Sequence, residues 1–122
     1  MFAFEFATAA RIVFGAGKLS ELRKLIESNV KRVLLVRRHS SDAISRVREI
    51  LSAFDVMEFP VHGEPTLESI RAGVEAGRSC DMVIGMGGGS VLHTGKAIAA
   101  LVANPGEVVD YLEVVGTGQP IV

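Results

Sequence analysis

Tryptophan is absent, aromatic residues make up only 6% of the chain, and 122 residues contain one cysteine and four prolines. A lone Cys80 cannot close an internal disulfide, so nothing argues for an oxidising compartment and a cytoplasmic location is expected. No charge sign dominates: 13 Lys and Arg stand against 14 Asp and Glu, a formal net charge of −1. Binding to nucleic acid or an anionic membrane needs clustered cations, so neither partner is expected. The longest apolar run, Ala97 to Ala103, is far shorter than the roughly 20 residues of a membrane span. The opening residues Met1 to Phe6 lack a basic region followed by a long apolar stretch, so no signal peptide is read there.

What is present is 48% hydrophobic and 22% charged residues, the composition of one globular domain, taken as residues 1–122. Thirteen glycines stand out by their placement. The run Arg11-Ile-Val-Phe14 has strand character and stops at Gly15-Ala-Gly17. Leu19, Leu22, Leu25 and Ile26 then recur at helical spacing. Lys31 to Val36 reads as a strand buried on both faces. Ser40 and Ser41 suit a helix start, followed by a stripe of Ile44, Val47, Ile50, Leu51 and Phe54. A weaker strand, Val56 to Phe59, is closed by Pro60, and Thr66 caps a helix that turns Leu67, Ile70 and Val74 inward. Asp81 to Ile84 reads as another buried strand, and a helix over about Ser90 to Val102 is apolar nearly all round, as a buried helix would be. The alternation predicts an α/β doubly wound domain: a largely parallel, Rossmann-like sheet with helices on both faces. Gln119-Pro-Ile-Val122 reads either as a frayed tail or as the start of a further strand, with the chain being the first part of a longer protein.

The chemistry concentrates at Gly85-Met-Gly-Gly-Gly-Ser90, between a strand and a helix. Glycines let a ligand approach the backbone, and free N–H groups at a helix start attract an anion. Doubly wound sheets bind ligands beyond the carboxyl ends of their strands, where this turn falls. A pyrophosphate cradle is the functional reading; a tight turn without ligand is the alternative. Other patterns fail. The dinucleotide pattern G-x-G-x-x-G needs glycine where Ser90 stands, and the phosphate loop G-x-x-x-x-G-K-[ST] needs a hydroxyl where Ala97 stands. No pair in His39, His62 and His93 has metal-ligand spacing, and Ser90 lacks a G-x-S-x-G context. Cys80 reads as a packed thiol.

Three motifs in order then match a family. Phe14-Gly-Ala-Gly17 with Leu19, Gly87-Gly-Gly-Ser90 followed by Lys96-Ala-Ile98, and Asp110 to Gly116 resemble the iron-containing (group III) alcohol dehydrogenases. The glycine loop alone would also fit dehydroquinate synthases and glycerol dehydrogenases. The resemblance implies an N-terminal dinucleotide-binding domain, with NAD or NADP as cofactor. It also implies a separate C-terminal helical domain, absent from this chain, that carries the aspartate and histidines for iron or zinc. Catalytic and metal-ligating residues are accordingly expected to be lacking here, and a homo-oligomer is compatible with the resemblance. The implied activity of a full-length relative is hydride transfer between the cofactor and an alcohol or aldehyde. A truncated, non-catalytic nucleotide- or phosphate-binding module is the alternative function, and a purely structural domain a third.

Carried over by residue, Gly87, Gly88, Gly89 and Ser90 would hold the pyrophosphate, and Lys96 would make polar contacts toward the nicotinamide half. Pro65 and Thr66 resemble the adenine-side segment, although proline followed by a threonine cap is also ordinary helix-start chemistry. Two positions depart from the family. His93 replaces the usual aspartate three residues after the loop serine, where a charge near the nicotinamide would be altered. Arg37-Arg38 follow the first buried strand where NAD-preferring members have an aspartate. Guanidinium groups there suit a 2′-phosphate, which predicts NADP tolerance or preference, unless they only solubilise the strand end.

Overall fold

The computed structural model describes Ala3 and residues 10–108. The motif Asp110 to Gly116, the ending Gln119 to Val122 and the opening Met1 to Phe6 therefore lie outside the described residues, Ala3 apart. Three parallel strands form the sheet: β1 (Arg32–Arg37), β2 (Asp55–Pro60) and β3 (Met82–Met86), in the order β2-β1-β3. A 3-10 turn, Lys18–Glu21, runs into the short α1 (Leu22–Leu25), and α2 (Asp42–Ile50), α3 (Leu67–Gly77) and α4 (Gly89–Leu101) alternate with the strands.

The central strand explains the fold. In β1 the side chains of Val33, Leu34, Leu35 and Val36 are fully buried, so the strand must be covered on both sides. Alternation divides them. Leu34 and Val36 join Ile70, Val74, Val91 and Ile98 in the core beneath α3 and α4. Val33 and Leu35 join Ile26, Val47 and Leu51 in the core beneath α1 and α2. Helices on both faces of a parallel sheet make the doubly wound architecture that the alternation predicts. At the amino edge, Asp81 Oδ2 accepts both the Lys31 and Arg32 N–H groups at 2.9 Å, tying the start of β1 to that of β3. These two bonds hold the Asp81 carboxyl below its usual range.

The helices on the α3–α4 side approach closely because two glycines face α4. A Cβ on Gly73 would stand 2.8 Å from Ile98 Cγ1, and one on Gly77 2.8 Å from Val102 Cγ1. The seam is completed by Arg78, whose Nη1 donates to the Val102 carbonyl at 3.1 Å.

Four expectations need correction. Arg11 to Phe14 form no strand; the segment is exposed, with Ile12 75% and Phe14 95% accessible, and among the described residues nothing pairs with it. Strand propensity without a partner leaves the backbone groups to water. Leu67 faces outward, 46% exposed, because it opens α3 a full turn before the first buried residue, Ile70. The third strand is half-buried along its whole length rather than buried, since it is the sheet edge in the described residues. Finally, α4 is not buried all round: Val91, Thr94, Gly95, Ile98 and Leu101 face the core, while Leu92, His93, Lys96 and Ala99 are exposed.

Candidate functional site

Parallel strands in register deliver their carboxyl ends to one edge. Arg37 pairs with both Pro60 and Met86, so the turns after β1, β2 and β3 leave the sheet side by side. The chain departs from β1 toward the α1–α2 face and from β3 toward the α3–α4 face. The crevice between these two strands is the topological switch point, where doubly wound sheets take ligands. The glycine loop forms one wall and Arg38, at the end of β1, the other.

Within the loop, the glycines differ. Gly87 has φ +152°, a conformation that side chains rarely adopt, and a Cβ there would stand 2.8 Å from Val91 Cγ2. The fold itself requires this glycine. Gly88 is the N-cap of α4 with φ −79° and ψ −166°, and a Cβ on it would meet nothing within 4 Å. At Gly89 the first atom met would be His93 Cε1, at 4.0 Å. The space around each would admit a Cβ, so neither position is glycine for the sake of packing. Both are exposed, and α4 starts without any side-chain cap. The first-turn amides therefore point toward the carboxyl edge with no side-chain acceptor among the described residues. Ser90 is half-buried; its carbonyl accepts the buried Thr94 hydroxyl at 2.7 Å.

His93 and Lys96 lie on the exposed face of α4, one turn apart, and neither has a hydrogen bond or ion pair among the described residues. Lys96 lines a groove of about 210 Å³ with Val83, Gly85, Leu92, Gly95 and Ala99, along the seam of β3 and α4. Thus the helix read as apolar nearly all round surrounds Lys96 with apolar residues on one side only. After β2, a groove of about 340 Å³ is bounded by Phe59, His62, Glu64, Thr66 and Glu68. Pro65 is half-buried at this position. Thr66 is already engaged: its Oγ1 accepts the Ser69 N–H at 3.1 Å while Ser69 Oγ accepts the Thr66 N–H at 2.8 Å. This capping box satisfies the ordinary helix-start reading of Pro65-Thr66. A further groove of about 610 Å³, lined by residues between Val13 and Leu25, shares no residue with any of these turns.

The arginine pair is split. Arg37 is largely buried, and its Nε donates to Glu58 Oε1 at 2.5 Å. Arg48, from α2, grips the same carboxylate with Nε to Oε2 at 3.0 Å and Nη2 to Oε1 at 2.8 Å. Hydrogen bonds from Arg48 and then Arg37 pull the Glu58 carboxyl down to about 2. Arg38 alone stays exposed, and its guanidinium has no partner among the described residues. Sequence reading missed Glu58; the signal was an acidic residue inside the otherwise apolar run Val56-Met-Glu-Phe59.

Among the described residues, no three His, Cys, Asp or Glu side chains lie together as a metal would need, so no metal chemistry is assigned to them. Burial pushes the half-buried Cys80 thiol up, away from nucleophilic character. No helix of the described residues is long and apolar enough to cross a membrane.

Comparison with known proteins bears on the family and the fold. The chain is 33% identical to a long-chain-alcohol dehydrogenase from Geobacillus thermodenitrificans over 90% of its own length and 32% of the relative's. It is 33% identical to the NADPH-dependent aldehyde reductase YqhD of Escherichia coli, over 94% of this chain and 31% of that one. In three dimensions it resembles the NADH-dependent butanol dehydrogenase A of Thermotoga maritima, with a TM-score of 0.78 and 25% identity over 98% of this chain and 32% of the other. The chain thus spans about a third of the length of such relatives. The pattern of the iron-containing alcohol dehydrogenases matches residues 9–122, and the chain belongs to that family.

Proposed function

We propose that this chain is the NAD- or NADP-binding portion of an alcohol or aldehyde dehydrogenase. The observation that carries the reading is the pair Gly88 and Gly89: two exposed glycines that the fold does not need, at the uncapped start of a helix on the carboxyl edge of the sheet. An outside ligand explains both features. Backbone amides of the first turn, together with the Ser90 hydroxyl, would hold a pyrophosphate whose approach a Cβ would obstruct. Gly87 shapes the turn from beneath. His93 and Lys96, on the next turn of the same exposed face, would lie toward the nicotinamide half and Pro65 and Thr66 toward the adenine. Arg38 would meet the ribose. Relatives named as NADH-dependent and as NADPH-dependent both occur, which supports the cofactor class and leaves room for either form.

The dinucleotide, when bound, supplies or accepts hydride. This chain's residues bind and orient it: amides neutralise the diphosphate, and Lys96 adds a cation at the nicotinamide side. His93, in place of the family's aspartate, removes a fixed negative charge from the nicotinamide side. The metal ligands implied by the family belong to a region beyond these residues, so the 122-residue chain should bind dinucleotide weakly and oxidise no alcohol. A cytoplasmic setting fits the same reading.

Calorimetric titration with NAD and NADP tests it. Saturable binding that is lost in Gly88→Val, a change the free fold accommodates, and weakened in Lys96→Ala is the expected result. Absence of binding, or binding indifferent to Gly88→Val, overturns it.

A further inference from the structure

Beside the end of β1, on the α2 face of the sheet, two arginines share an internal anion. At the end of β1, Arg37 and Arg38 are adjacent in sequence, yet strand alternation sends them to opposite sides. Arg37 falls on the α2 face, where Glu58 pairs in register with Leu35 and reaches the guanidinium at 2.5 Å. Arg48 closes on the same carboxylate from α2 with two further bonds, of 2.8 and 3.0 Å. Two guanidinium groups therefore converge on one carboxylate in the arrangement that arginines offer a phosphate. Glu58 occupies the place a phosphate would take. The three side chains together carry one net positive charge rather than two, and the remaining uncommitted guanidinium at this strand end is Arg38.

We propose that Glu58 is a specificity-determining residue for the ribose 2′ position of a bound dinucleotide: it keeps Arg37 and Arg48 for itself and leaves Arg38 as the cation facing the ligand. Specificity between two cofactors that differ by one phosphate is a difference in affinity, and it can be set as well by withholding a partner as by offering one. A chain with three free arginines would favour the extra phosphate strongly; with two of them held, one guanidinium supplies a modest preference. The inference rests on the dinucleotide reading above.

The test is titration of the full chain and its variants with NAD and NADP in parallel. In Glu58→Gln the carboxylate charge is gone, Arg37 and Arg48 become available, and affinity for NADP relative to NAD should rise roughly tenfold, the scale of one charge-assisted hydrogen bond. Arg38→Ala should lower the same ratio by a similar factor. Should Glu58→Gln fold poorly, Arg37→Ala in the otherwise unchanged chain decides: the NADP-to-NAD ratio should stay as it was, because Arg37 is withheld from the ligand. A ratio that fails to move in Glu58→Gln, or a selective loss of NADP in Arg37→Ala, overturns the assignment while NAD binding at the glycine loop still stands. No binding of either cofactor by the unaltered chain overturns both.

Discussion

Two helices, α3 and α4, begin at the same edge of the sheet and solve the same problem in opposite ways. Each has first-turn amides that its own backbone cannot satisfy. In α3 the protein answers for itself: Thr66 and Ser69 exchange side-chain to backbone bonds of 3.1 and 2.8 Å, and the helix start is closed. In α4 the corresponding place is Gly88, which has no side chain to offer. A third start, that of α2, is closed by Ser41 accepting the Ile44 N–H at 3.2 Å. Capping is therefore available to this sheet edge, and of the starts of α2, α3 and α4 only that of α4, which follows β3, has no side-chain cap among the described residues. The difference separates a helix start closed by its own side chains from one that has no side-chain cap among the described residues.

The largest effect should come from closing the open start. Gly88→Asp places a carboxylate over the α4 amides, so dinucleotide affinity should fall on the order of a hundredfold, since the diphosphate meets a like charge on amides already engaged. The same variant should melt slightly higher than the parent, by a few tenths of a kcal/mol, because aspartate is a good N-cap. Calorimetry and thermal melting on one sample read both signs, and a loss of binding accompanied by a loss of stability would contradict the comparison.

Next in size is Gly87→Ala. With φ at +152° and Val91 Cγ2 2.8 Å from the new Cβ, this glycine serves the fold, so unfolding free energy should drop by about 1–3 kcal/mol in a urea titration. Loop glycines with equal effects on stability would erase the distinction drawn between Gly87 and Gly88.

Acid should act through Glu58. Its folded-state pKa of about 2 lies below the ordinary carboxylate value, so its contribution is complete above the unfolded pKa and disappears as pH falls through the folded one. Stability should therefore decline between about pH 4.5 and pH 2, by on the order of 1–2 kcal/mol for a partly exposed group. Glu58→Gln should flatten that decline. The smallest effect is expected at the closed start: Thr66→Ala removes half of the capping box and should cost about 1 kcal/mol. Its cofactor binding should change far less than that of Gly88→Asp.

Much of this was legible from residue pattern. The unbroken apolar run of β1 announced a strand covered twice, and Ser41, Thr66 and the glycine turn marked three helix starts where they are found. Patterns that depend on one element and its immediate neighbours carry their own physics in sequence. Pairing does not. Arg11 to Phe14 has strand composition and no partner among the described residues, and nothing in those four residues could have said so. Leu92 and Ala99 looked like core in a helix read as apolar all round, because composition does not tell which side of α4 a neighbour covers. Arg37-Arg38 looked like one clamp because adjacency in sequence conceals the alternation of strand faces. Its division by Glu58, which lies 21 residues away, is a tertiary fact.

Gly73 and Gly77 bring α3 and α4 into contact so tight that added methyl groups would collide with Ile98 and Val102. Helices meshed at that distance cannot slide past each other without breaking van der Waals contact along the whole seam. Any shift of α4 against α3 would therefore cost packing at Ile98 and Val102, which keeps the helix behind the glycine loop at a fixed distance from its neighbour.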